Sequence, residues 1–291
     1  MEPSTEPRTI VVTGASDGIG AAAVRELARR GHEVAIVGRS PAKTAAVARP
    51  LGARHFSADF ARLDEVRGLG AQLRSALPRI DVLVNNAGGI FDRPERTADG
   101  LERTFQVNHL APFLLTHLLL EPLRAGTGAV VNTSSIAARI GRLDLRGMDE
   151  LDGFGGPGGR RAWSPHRAYG DSKLANVLFT RGLERHHGDR GLAAAAFHPG
   201  GVATNFASST TTALGLLYRT RLGRRLMITP EQGADTLVWL AEGTPGRNWA
   251  SGAYYEKRRP ARTNPRAGDD ALVDALWERS ARLAGLSGRA G

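Results

Sequence analysis

The chain has 291 residues, 41% hydrophobic and 36 of them glycine, enough apolar material for one large α/β domain and too much for a disordered chain. Cysteine is absent, which excludes disulfides, iron–sulfur clusters, thiolate zinc sites and a cysteine nucleophile. The formal net charge of +10 rests on 36 arginines and only three lysines (Lys43, Lys173, Lys257). They are scattered, without a run of five like charges or a nucleic-acid-binding motif, so no nucleic-acid partner is expected.

Residues 1–7 read as an N-terminal tail. MEPSTEPRT carries acids and prolines where a secretory signal needs basic residues followed by an apolar stretch. From residue 8 to 291 short apolar runs alternate with helical patterns, the mark of βαβ units. Ile10–Val12, Val34–Val37, Val82–Val84, Val130–Val131 and Ala193–Phe197 read as buried strands. Helical patterns cover Gly18–Arg30, Pro41–Pro50, Leu63–Leu77, Asp99–Arg124, Ala168–His187 and a terminal amphipathic helix at Asp269–Gly285. The expected fold is a single α/β domain with a doubly wound, Rossmann-type parallel sheet and helices on both faces. The most apolar stretch, Val107–Leu123, is interrupted by Asn108, His109, Pro112, His117, Glu121 and Pro122. It falls short of the roughly 20 apolar residues that a membrane span needs, so a soluble, cytoplasmic protein without a membrane span is expected.

Two segments break the rhythm. Gly141–Arg167 is rich in Gly, Arg, Asp and Pro, lacks any period, and reads as a surface excursion. Ala207–Pro230 places Leu214, Leu217, Leu222 and Leu226 near helical spacing among arginines, which reads as a flap over a site in preference to a membrane-surface helix. His186, His187 and His198 have no acidic or histidine partners at ligand spacing, so no metal site is expected.

The first strand runs into Thr13-Gly14-Ala15-Ser16-Asp17-Gly18-Ile19-Gly20 and then directly into a helix. Glycines there let the backbone turn tightly and approach a pyrophosphate, while the helix N-terminus offers N–H groups to its oxygens. After the second strand comes Gly38-Arg39-Ser40, where an arginine suits the 2′-phosphate of NADP by a forked contact. Tyr169 and Lys173 are four residues apart, hence on one helical face, and an ammonium beside a phenol lowers the phenol's pKa toward working pH.

With its G-x-x-x-G-x-G spacing and Tyr-x-x-x-Lys pair, the chain resembles the short-chain dehydrogenase/reductase family. Further motifs fall in the same order: Asp59-Phe60, Asn85-Asn86-Ala87-Gly88, Asn108, Ser134-Ser135 and His198-Pro199-Gly200. The resemblance implies an NADP(H)-dependent oxidoreductase acting on a small carbonyl or alcohol. It implies that Tyr169 protonates the carbonyl oxygen, that Ser135 in preference to Ser134 donates to the same oxygen, that Lys173 also holds the nicotinamide ribose, and that Asn108 maintains a water relay behind Lys173. Gly14, Ser16, Asp17, Gly18, Ile19, Gly20, Arg39, Ser40, Asp59, Phe60, Asn86, Ala87, Gly88, Tyr169, Lys173, Pro199, Gly200, Val202 and Thr204 are the implied cofactor contacts. Asp59 and Phe60 would border the adenine, and Val202 and Thr204 the carboxamide. Ser135 and Tyr169 lie 34 positions apart, more than is usual for the family, so the excursion must loop out.

SKLANVLFT and LWERSARLAG resemble the retinol-dehydrogenase-like group, which implies an apolar aldehyde or ketone. Pairing through the Ala168–His187 helix into a homodimer or homotetramer is implied by the same resemblance. The other readings are a non-catalytic NADP-binding regulator, disfavoured by the intact tetrad, and an extended-branch dehydratase or epimerase, disfavoured by the glycine spacing.

Overall fold

The structure, a computed structural model, describes residues 6–145, 163–200 and 228–286. Its centre is one sheet of eight strands in the order β3-β2-β1-β4-β5-β6-β7-β8. The strands are β1 (Thr9–Thr13), β2 (Glu33–Gly38), β3 (Arg54–Ser57), β4 (Val82–Asn85), β5 (Ala129–Thr133), β6 (Ala193–Phe197), β7 (Ala253–Glu256) and β8 (Arg259–Pro260). All pair in parallel except β7 with β8. The middle strands are apolar on both faces because helices cover both, and the buried residues divide into two clusters, one per face.

One cluster lies under α1 (Gly18–Arg29), α2 (Pro41–Ala48) and α8 (Pro230–Glu242). The other lies under α3 (Leu63–Ala76), α5 (Ala111–Leu118), α7 (Pro165–His187) and α9 (Asp270–Leu283). The chain moves outward from β1 to β3, then crosses back to β4 on the other side of β1. That reversal opens a crevice beyond the carboxyl ends of β1 and β4, where ligands of such sheets bind.

Several boundaries differ from the sequence expectation. The helix expected at 99–124 is four pieces: α4 (Arg103–Phe105), a π-helical turn at Gln106–Leu110, α5, and α6 (Leu120–Ala125). Its first residues form a loop ending at Glu102, whose carboxylate accepts from Phe105 N at 2.7 Å. Pro122 carries no N–H to continue the helical ladder of α5, so the two helices part at Leu119. The helix Pro41–Pro50 ends at Ala48 and tightens into a 3₁₀ turn, Arg49–Leu51. α7 begins at Pro165, before the expected Ala168, because Ser164 caps it by accepting from Arg167 N and Pro165 occupies the first turn. Residues 165–167 therefore belong to the helix and not to the excursion.

The rest of that excursion from 146 to 162, and the proposed lid from 207 to 227, lie outside the described residues, as do Val202 and Thr204. The lid's expected end is already structured, since Thr229 and Gln232 form a capping box at the start of α8. Among the described residues, no helix is long and apolar enough to cross a membrane.

Candidate active site

The turn from β1 into α1 is shaped by close approach. Gly14 and Gly18 have φ of 64° and 54°, conformations that suit glycine. A Cβ on Gly14 would sit 2.7 Å from Ala87 Cα, and one on Gly20 would sit 2.5 Å from Gly14 O. Thr13 Oγ1 accepts from the backbone N–H groups of Asn86 and Ala87 at 3.0 and 3.1 Å, and Asn86 Nδ2 donates to Thr13 O and Gly14 O. The glycine turn is thus tied to the segment after β4, and the first N–H groups of α1 point from a positive helix end toward the crevice.

The crevice is a cleft of about 320 Å³. Gly14, Asp17, Gly18, Ile19, Asn86, Ala87, Gly88, Thr133, Ser134, Ser135, Tyr169, Lys173, Pro199 and Gly200 line it. Thirteen of these, all but Thr133, are residues picked out from sequence for the cofactor or the chemistry, or weighed as the alternative serine. The tight turn at Gly14, whose close approach to Ala87 leaves no room for a side chain, opens on a helix N-terminus and fits the diphosphate of a dinucleotide.

Lys173 is fully buried, and Nζ donates to Thr133 O at 3.0 Å while lying 5.5 Å from the centroid of the Tyr169 ring. Desolvation lowers its pKa to about 8, so the ammonium persists at neutral pH. Thr133 O also accepts from Asn176 Nδ2 at 3.1 Å. Below it, a buried polar ladder fixes α7 on the sheet: Asn85 donates to Thr116 and Asn132, and Asn132 to Thr180.

The two serines point to different tasks. Ser134 is 1% exposed and Oγ donates to Lys173 O, so its hydroxyl holds the helix. Ser135 caps the 3₁₀ segment Ile136–Ile140 by accepting from Ala137 N at 3.2 Å, which leaves its hydroxyl proton for the cleft.

Asn108 sits in the π-helical turn behind the cleft. Its amide brackets Gly89, accepting from Gly89 N and donating to Gly89 O, and also donates to Ser172 Oγ, which donates to Tyr169 O. A Cβ at Gly88 would come 2.9 Å from Asn108 Oδ1 and 3.3 Å from Lys173 Nζ. Glycine there leaves a gap between the two groups.

Other expected contacts lie off the cleft. Phe60 is 5% exposed and its side chain belongs to the core cluster. Gly20 is spent on helix packing, and Ser16 packs against Gly38. Arg39 is exposed at the end of β2, Ser40 caps α2, and half-buried Asp59 accepts from Ala61 N. Sequence reasoning missed Asn176, Ser172 and Tyr254. Asn176 lies three residues after Lys173, a spacing that could have shown it; a backbone acceptor such as Thr133 O leaves no sequence signal.

The model of the short chain dehydrogenase family matches residues 8–145. Over 288 residues the chain is 40% identical to a Streptomyces sp. (strain C5) protein named "Putative daunorubicin C-13 ketoreductase DnrU", covering 97% of this chain and 94% of that one. The chain belongs to the short-chain dehydrogenases/reductases. Human retinol dehydrogenase 13 is 35% identical over 292 residues, 96% of this chain and 85% of that one, which places this short-chain dehydrogenase in the retinol-dehydrogenase-like group. A solved structure of an uncharacterised protein from Mycobacterium paratuberculosis superimposes with a TM-score of 0.76 at 33% identity, covering 97% of this chain and 95% of that one. Another, from Shigella flexneri and complexed with NADP, gives 0.61 at 28% identity over 81% of this chain and 91% of its own. As a member of this family, the protein is an oxidoreductase acting on CH–OH groups with NAD(P)(H).

Proposed function

We propose that the chain is an NADP(H)-dependent reductase and dehydrogenase of apolar aldehydes or ketones, in which the bound nicotinamide supplies or accepts the hydride. The carrying observation is the buried Lys173 ammonium 5.5 Å from the Tyr169 ring at the wall of the cleft. A cation there favours phenolate over phenol, so Tyr169 gives a proton to the substrate oxygen during reduction and takes one back during oxidation. Ser135 Oγ–H donates to the same oxygen, and Asn108 keeps the backbone around Gly89 and Tyr169 in register.

The glycine turn and α1 hold the diphosphate, and Asn86 to Gly88 border the ribose. Arg39 supports NADP over NAD, since its exposed guanidinium at the end of β2 suits a 2′-phosphate. The Shigella flexneri neighbour complexed with NADP supports the same choice. The names of the Streptomyces and human relatives support a ketone or an apolar aldehyde.

The test follows NADPH oxidation over a panel of apolar aldehydes and ketones. Wild type turns over at least one of them, and Tyr169→Phe loses about 10²- to 10⁴-fold in kcat while still binding NADPH. Tight NADPH binding without turnover of any carbonyl would favour a regulator, and tighter binding of NADH than NADPH would remove the role given to Arg39.

A further inference from the structure

Tyr254 lies in β7 at the far side of the sheet from the glycine turn, 119 positions from Ser135. It is 5% exposed, and its ring belongs to the core cluster under α7. A phenylalanine would fill that space equally well. The hydroxyl donates to Ser135 O at 3.3 Å.

Ser135 O also accepts from Ala138 N at 3.0 Å, and Ser135 Oγ accepts from Ala137 N. The phenol therefore adds a long-range anchor to two local bonds, and among the described residues it alone ties Ser135 to a strand distant in sequence. Behind the phenol, the His198 ring stacks at 6.0 Å. His198 Nδ1 accepts from Gly200 N at 3.0 Å, and Nε2 stands 3.3 Å from Glu256 Oε1. Glu256 in turn pairs with Arg139 in the segment after Ser135 at 3.3 Å. The end of β7 thus braces both the serine loop and the Pro199-Gly200 loop that line the cleft.

We propose that Tyr254 is a positioning residue that holds Ser135 where its hydroxyl meets the substrate oxygen. The proposal rests on the reading of Ser135 as the hydrogen-bond donor. Burial and the neighbouring charges of Glu256 and Tyr169 raise the phenol's pKa, against an opposing effect of Arg139. It therefore stays protonated, and a donor, at neutral pH.

The experiment is a double-mutant cycle on kcat with Tyr254→Phe, Ser135→Ala and the pair, assayed with NADPH and the best substrate of the carbonyl panel. Tyr254→Phe keeps the ring and the core. It is expected to lower kcat about tenfold, the effect of losing one well-placed hydrogen bond, with KM for NADPH unchanged. In the Ser135→Ala background the same substitution is expected to change kcat less than twofold. Full activity of Tyr254→Phe overturns the proposal, and so does an equal loss in both backgrounds. Should Ser135→Ala keep wild-type kcat, the serine reading itself falls, a result distinct from either. A purely structural tyrosine would lower stability without coupling to Ser135.

Discussion

Lys173 carries a folding cost that belongs to its task. Its pKa in the folded chain is about 8 against an ordinary 10.5, because burial disfavours the charged form. Below pH 8 that cost is fully present, about 3 kcal/mol. Between 8 and 10.5 the unfolded chain binds the extra proton, so this contribution to stability rises with pH, and above both values it vanishes. Lys173→Met should therefore be inactive yet more stable than wild type by up to about 3 kcal/mol at pH 7. Urea unfolding of both proteins at pH 7, 9 and 10.5 checks this, and the gap must shrink as pH rises. At this scale the sequence was informative where residue types are rare. The chain holds three lysines and four tyrosines, and one of each stands one helical turn apart. It was silent about Thr133 O and Tyr254, whose roles exist only once β5, β7 and α7 are brought together.

The turn between β7 and β8 departs from what its element prefers. Lys257 and Arg258 take φ of 49° and 62°, as a two-residue hairpin requires, although neither is the Asn or Gly that adopts this conformation readily. Arg258 is engaged, pairing with Asp235 and donating its N–H to Thr236 Oγ1. Lys257 is exposed, so Lys257→Asn should stabilise the fold by about 0.5–1 kcal/mol without changing activity, read as a rise in the thermal midpoint.

This hairpin also shows why the last strands were not legible in the sequence. β7 has four residues and β8 two, one of them a proline, too few for a period to emerge. α8 was legible in principle, since Thr229-Pro230-Glu231-Gln232 is a capping box with proline in the first turn, but its pattern adjoined a segment read as lid. The βαβ rhythm upstream was clear because each central strand is buried on both faces. α4 to α6 were misjudged as one helix because apolar content alone does not reveal a π turn or the consequence of Pro122.

Across the whole molecule, the C-terminal helix α9 holds α7, which carries Tyr169 and Lys173, in place. Trp277 of α9 enters a groove on α7 that exists because residue 182 is glycine, and a Cβ there would meet Trp277 Cε3 at 2.7 Å. His186 stacks on the same indole at 4.3 Å, and Phe113 meets it edge-on at 5.2 Å. Arg185 pairs with Asp270 and Asp274 beside it. Helix propensity alone predicts that Gly182→Ala stabilises by about 1 kcal/mol. The contact predicts the opposite, and overpacking of about 1–3 kcal/mol should prevail, lowering the thermal midpoint by a few degrees. Adding Trp277→Leu should recover most of that loss. A rise in midpoint for Gly182→Ala alone would mean that the indole yields freely.

The strand order also sets a timetable for synthesis. The described segments proposed to cradle the diphosphate are all made by Gly88, and β1 to β5 are all made by Thr133. The bond from Tyr254 to Ser135 and the docking of α9 on α7 wait for the last 38 residues. In chain order, the segments proposed to hold the nucleotide thus precede those proposed to act on the substrate.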